Sequence, residues 1–162
     1  MTEEIWDLLD VDANPTGETH VRDTPIPEGR MHLVVAAAVV RHDGRILVAQ
    51  RAAEKTFPLA WEISAGSALA GETSREAASR ELYEEVGVRC DPSDLTPIGR
   101  VIEPMAFFDL YATAVDGDVD IVLDPDEVAD ARWVTFDEFD RMTAAGELAD
   151  PWIHRLQQFR PA

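Results

Sequence analysis

Residues 73–87, "TSREAASRELYEEVG", specify both of their own boundaries, which few stretches of sequence do. Thr73 is followed three residues later by Glu76, a pairing in which a hydroxyl and a carboxylate satisfy backbone amides at a helix start. Gly87 supplies the stop. Between them Ala78, Leu82 and Val86 recur every fourth residue, so one stripe of this helix has to lie on a core.

The stripe beside it carries Glu81, Glu84 and Glu85. Residues three and four apart are neighbours on a helix, so these like charges repel at roughly 0.2–0.5 kcal/mol per pair. A solvated acidic face accounts for such a cluster in an acidic protein. A hard divalent cation, Mg²⁺ or Mn²⁺, accounts for it as well, because oxygen ligands around a metal turn the repulsion into attraction.

Elsewhere the pattern alternates between strands and helices. Asp43-Gly44 between residues 31–42 and 45–51 is the clearest short hairpin signal. Residues 4–9 and 18–23, on either side of Asn14-Pro15-Thr16-Gly17, predict an N-terminal β-hairpin within residues 1–30. Residues 96–103, 107–115 and 131–134 read as further strands. "TFDEFDRMTAAGEL" opens on a Thr-x-x-Glu cap, and Pro151 opens a last helix. Strands separated and followed by helices predict an α/β sandwich over residues 1–162, a length that suits one domain.

Composition narrows the function classes. A net charge of -18 argues against gripping a long nucleic acid, which needs basic surface. The longest apolar run, residues 33–40, is too short to span a bilayer, and no charged-then-apolar leader opens the chain. Cys90 is the single cysteine, which fits a reducing cytoplasm. Lys55 is the single lysine and follows Arg51 closely, so these two cations ahead of the helix are candidates to meet a diphosphate. Taken by themselves, ordinary surface charge is the readier explanation.

One spacing ties these features together. From Gly66, five residues lead to Glu72 and seven more to Arg80, and then comes Arg-Glu-Leu-Tyr-Glu-Glu-Val-Gly-Val, residues 80–88. This resembles the signature of the Nudix hydrolases at every specified position, and a match at so many fixed spacings is specific. The resemblance implies a Nudix α/β/α sandwich with a mixed β-sheet. It implies Glu81, Glu84 and Glu85 as metal ligands, with a backbone carbonyl at Ala65 completing the site. Arg80 and Glu72 belong to the same catalytic motif in a structural role. The sequence departs from the family at Ser64-Ala65-Gly66, where a Gly-Gly pair is common.

The reaction the resemblance implies is Mg²⁺- or Mn²⁺-dependent hydrolysis of a phosphoanhydride in a small diphosphate, with Glu84 or an outside glutamate assisting the water. Glu127, in "DEVADARWV", and more weakly Glu103 are candidates for that outside role. A cytoplasmic protein with no membrane or long nucleic-acid partner is expected, and the family adds the expectation of a homodimer.

The flanks resemble the branch related to isopentenyl diphosphate isomerase, where residues aligned with Arg51 and Lys55 contact the diphosphate. Where that isomerase needs a cysteine, a histidine and strand glutamates, this chain has Ala65, Ser67 and Ala106. Isomerisation then lacks its proton-transfer groups. A catalytically silent nucleotide sensor is a second alternative, but such modules usually lose motif carboxylates, and this chain keeps them. The four tryptophans, and Phe107, Phe108 and Tyr111, are either core or pocket wall.

Overall fold

Alternation along two central strands decides which residues face which layer. In the computed structural model, β3 (His32–Arg41) sends Val35, Ala37 and Val39 into one core and Ala36 into the other. Strand β4 (Ile46–Arg51) divides the same way, with Leu47 and Ala49 opposite Ile46 and Val48. Both faces of the sheet are therefore buried, which is why these strands read as nearly continuous apolar runs. The structure describes residues 2–117 and 119–159; Met1, Asp118 and residues 160–162, which the expected domain of 1–162 includes, lie outside the described residues.

Helices cover the two faces. Helix α1 (Ser74–Val86) lays Ala77, Ala78, Leu82 and Val86 on the Val35 side. The predicted capping box at Thr73 and Glu76 is formed in both directions, and Gly87 closes the helix at φ 74° with its amide on the carbonyls of Leu82 and Tyr83. Phe139 of α2 (Phe136–Ala144) and Trp152 of α3 (Asp150–Phe159) fill the opposite core. The result is the expected α/β/α sandwich.

The sheet runs β5 (Trp61–Glu62), β4, β3, β8 (Ala106–Val115) and β7 (Thr96–Glu103), with β6 (Ala65–Ser67) on β3 and β9 (Val128–Val134) on β4. It is mixed. Strands β3 and β8 are parallel from His32↔Ala106 to Arg41↔Val115, and the other pairings are antiparallel.

Sequence reading missed β5 and β6, which at two and three residues are too short to show a period of two. It also started β9 three residues late. Gly66 therefore lies in a strand. Its backbone does not take the left-handed conformation, whereas Gly71 does, at φ 86°.

The N-terminal hairpin is present with a different turn. Strands β1 (Ile5–Leu9) and β2 (Pro15–Val21) pair antiparallel, so Pro15, Thr16 and Gly17 belong to the second strand and the reversal spans residues 10–14. Asp10 explains the shift. Its Oδ1 accepts from the amides of Asp12 and Asn14, each at 2.9 Å, and organises a tight loop before Pro15. Proline is tolerated as the first residue of a strand, where its missing amide costs no ladder bond.

Candidate active site

Helix α1 turns its three carboxylates toward one cavity of about 540 Å³. They differ in exposure: Glu85 is buried, the Glu81 side chain is 14% exposed and that of Glu84 is 54% exposed. Burial pushes the Glu81 carboxyl up to about 7, against the pull of Arg80. Burial also raises Glu85 well above the usual carboxylate range, reinforced by the neighbouring charges of Glu81 and Glu62. Glu85 Oε2 is buried with no hydrogen-bond partner. A carboxylate oxygen left in that state costs of order 1–3 kcal/mol unless something compensates it.

Gly66 sits directly against this cluster. A Cβ placed on it would come within 2.2 Å of the Glu81 carboxyl, so the absence of a side chain is what leaves room for Glu81. Strand β6 holds Gly66 opposite Val35 and Ala65 opposite Ala36, and both Ala65 and Gly66 line the cavity.

Arg80 organises the surroundings. Its Nε and Nη2 donate to Glu72 at 2.6 and 3.0 Å, and Nη2 also donates to the Ser67 carbonyl at 3.0 Å. This pair spans the loop–helix junction, in keeping with the structural role expected of both residues, and Glu72 Oε2 in turn accepts from the Leu69 amide at 2.8 Å. The sequence did not reveal that Nη1 also reaches Glu81 at 2.8 Å and Glu84 at 3.0 Å. Burial works to lower the Arg80 pKa, but its bonds to Glu72 and Glu81 outweigh that and raise it. One guanidinium thus restrains two of the three motif glutamates. Among the described residues, no three acidic, imidazole or thiol groups converge into a closed coordination shell as the side chains stand.

Arg51 and Lys55 both line the cavity, and each is already paired. Arg51 Nη1 donates to Glu62 at 2.9 Å and its Nε to the Thr56 carbonyl, while Lys55 Nζ donates to Glu127. Glu127 is therefore brought to the site, with its carboxylate on that lysine and its backbone bonded to Ala52 and Asp124. Glu103 is not among the cavity residues; it binds Arg155 through two bonds of 2.6 and 3.1 Å. Arg155 does line the cavity and stacks over Phe108, 3.9 Å from the ring centroid.

Several cavity residues escaped sequence reading. Glu62 is buried, and burial raises its carboxyl against the opposing pull of Arg51. The signal was a charged residue within the apolar run "LAWEIS". Asp124 and Arg155 carried no local signal, since tertiary packing alone brings them in. Trp6 and Trp152 line the cavity, while Phe107, Phe108 and Tyr111 belong to the core rather than to the wall.

The protein-family model described as the NUDIX domain matches residues 30–156. The chain belongs to the Nudix family. An uncharacterized Nudix hydrolase of Listeria monocytogenes is 37% identical over 159 residues, covering 96% of this chain and 94% of that one. An isopentenyl-diphosphate Delta-isomerase of Nocardia farcinica is 31% identical over 169 residues, covering 96% and 94%. Among solved structures, DR0079 of Deinococcus radiodurans superposes with a TM-score of 0.73 at 26% identity, over 90% of this chain and 92% of that one. The Nudix fold and the branch that includes isomerase relatives both agree with the motif.

The Nudix residues suit a hard divalent cation by their own chemistry. They are carboxylate oxygens, two of the three are held in surroundings that disfavour uncompensated negative charge, and one oxygen lacks any partner. No helix is long and apolar enough to cross a membrane among the described residues.

Proposed function

We propose that this Nudix protein is a metal-dependent pyrophosphohydrolase that cleaves the phosphoanhydride of a small diphosphate, such as a nucleoside diphosphate linked to another group. The observation that carries this reading is the arrangement within one cavity: three motif carboxylates, one buried and one largely buried and both with a raised pKa, share it with the cations Arg51 and Lys55. Glu81, Glu84 and Glu85, with the Ala65 carbonyl, would hold Mg²⁺ or Mn²⁺. The ion supplies neutralisation of phosphate charge and acidifies water.

The remaining work falls to this chain's own side chains. Arg51 and Lys55 exchange Glu62 and Glu127 for phosphate oxygens and so fix the diphosphate across the site. Arg80 keeps Glu81 and Glu84 from swinging apart. Glu84, the most exposed of the three, takes the proton from the attacking water while the bridging P–O bond breaks and its electron pair leaves with the departing phosphate. Glu127, next to Lys55, is the alternative proton acceptor.

The 31% identical isomerase does not change the reading. Ala65 and Ser67 face the cavity without an acid or a thiol, Ala106 lies outside it, and Cys90 flanks the core on the Val35 side. Cytoplasmic location and homodimer formation remain part of the proposal on family grounds.

The test is release of phosphate or nucleoside monophosphate from a panel of diphosphates with Mg²⁺, Mn²⁺ or EDTA, on wild type and Glu84→Gln. The expected outcome is metal-dependent turnover that falls about 10²–10⁴-fold in the variant with little change in melting temperature. Wild-type turnover by Glu84→Gln would remove that residue from its role, and absence of turnover across the panel would remove the hydrolase.

A further inference from the structure

The N-terminal hairpin lies almost wholly outside the residues that the family model matches, yet it forms part of the cavity wall. Glu4, Trp6, Arg22 and Asp23, from the strands and ends of that hairpin, line the same space as Glu81, Glu84 and Glu85. The hairpin is fastened to the metal-side loop. The Gly71 amide donates to Asp7 Oδ2 at 2.7 Å and the Ala70 amide to the Ile5 carbonyl at 2.8 Å, both just ahead of Glu72. Trp6 stacks on His32 with ring centroids 4.4 Å apart, and Leu9 bridges to Met31. These attachments make it a fixed wall rather than a loose flap.

The edge of this wall that meets the cavity is charged. Arg22 Nη1 donates to Glu4 at 2.9 Å and its Nε lies 3.9 Å from Asp23; the Glu4 and Arg22 side chains are half-buried and that of Asp23 is exposed. More than half of the residues lining the cavity are charged. Hydroxyl groups on a ligand can replace the water that Glu4, Arg22 and Asp23 lose when the cavity fills. A hydrocarbon chain cannot, and it would leave those charges stripped of partners. A site built to hydrogen-bond a substrate rejects an analogue lacking those groups far more strongly than an apolar pocket rejects an added hydroxyl.

We propose that the N-terminal hairpin is the selectivity wall of this site, and that Glu4, Arg22 and Asp23 select diphosphates whose attached group carries hydroxyls, such as a sugar or nucleoside, over diphosphates of a hydrocarbon chain. This rests on the reading of the cavity as a diphosphate site. The Glu4–Arg22 pair acts on the attached group and leaves the phosphoanhydride to the residues of α1.

UDP-glucose and isopentenyl diphosphate are the two probes, each measured with Mg²⁺ by calorimetry for affinity and by phosphate or monophosphate release for kcat/KM. The proteins are wild type, Arg22→Ala and Glu4→Gln/Arg22→Met. The expected result is at least 10²-fold preference of wild type for UDP-glucose, narrowed tenfold or more in both variants through affinity and KM, with kcat and melting temperature nearly unchanged. A wild-type preference for isopentenyl diphosphate, or a preference equal in all three proteins, overturns the selectivity wall while leaving the hydrolase intact. Binding with the expected preference but without turnover keeps the wall and leaves the hydrolase to be decided by the diphosphate panel. Failure of both compounds to bind overturns the wall. Loss of affinity for the two probes in equal proportion shows a general structural role and also overturns the proposal.

Discussion

Gly66 shows how little a residue needs to contribute directly for a site to depend on it. It has no side chain and an ordinary strand backbone, and its role is the space it leaves for the Glu81 carboxyl. Gly66→Ala would force Glu81 off its position while leaving β6 in register. We expect a 10–100-fold loss of Mn²⁺ affinity, read by calorimetry or electron paramagnetic resonance, with a melting temperature within a few degrees of wild type. Unchanged Mn²⁺ affinity would show that Glu81 has another acceptable position. The glycine and its spacing to Glu72 were legible in the sequence, but the reason for the glycine was not, because the clash is with a residue fifteen positions further along the chain. The same limit hid the second function of Arg80: its pairing with Glu72 follows from the motif, and its bonds to Glu81 and Glu84 follow from rotamers.

At the scale of elements, the long or well-capped segments were readable and the short ones were not. Helix α1 follows its caps to the residue, and β7 spans the predicted residues 96–103. Strands β5 and β6 exist because β4 and β3 offer them backbone partners, information that a two- or three-residue stretch cannot carry. The hairpin's turn moved because one aspartate side chain outweighed a Pro-Thr-Gly turn signal.

The hairpin also introduces a pH dependence through His32, on which Trp6 is stacked. Burial lowers the His32 pKa from 6.5 to about 4, with His20 adding to the effect and Glu103 opposing it. The unfolded chain therefore takes up a proton below about 6.5 that the folded chain resists until about 4, so stability falls as the pH drops through that window. Allowing for partial exposure, the loss is on the order of 2 kcal/mol. Urea melts at pH 7.5 and pH 5.0 should show a larger acid loss for wild type than for His32→Phe. The raised carboxyls of Glu81 and Glu85 act in the opposite direction and are common to both proteins, so the difference isolates the histidine. Parallel pH profiles for the two proteins would contradict it.

Across the whole molecule, 32 acidic residues against 14 lysines and arginines leave a net charge of -18. Many of the basic groups are already committed to acidic partners, so the excess negative charge repels itself without internal relief. Raising NaCl from about 10 mM to about 0.5 M shortens the screening length from about 30 Å to under 10 Å and should raise the melting temperature by several degrees. A flat or falling melting temperature would mean that local ion pairs, which salt weakens, outweigh the long-range repulsion. The acidic balance was readable from composition, whereas its meeting place with Arg51 and Lys55 required the fold.

The parallel ladder between β3 and β8 sets a timetable for the chain as it leaves the ribosome. Residues 32–41 emerge early, but the strand that covers one of their edges begins at Ala106. During that interval α1 can coil and cap itself, since its signals are local. The sheet that aims its glutamates cannot close. Most of the polypeptide must therefore be made before the cavity around those glutamates is complete, and until then the Val- and Ala-rich edge of β3 stays uncovered.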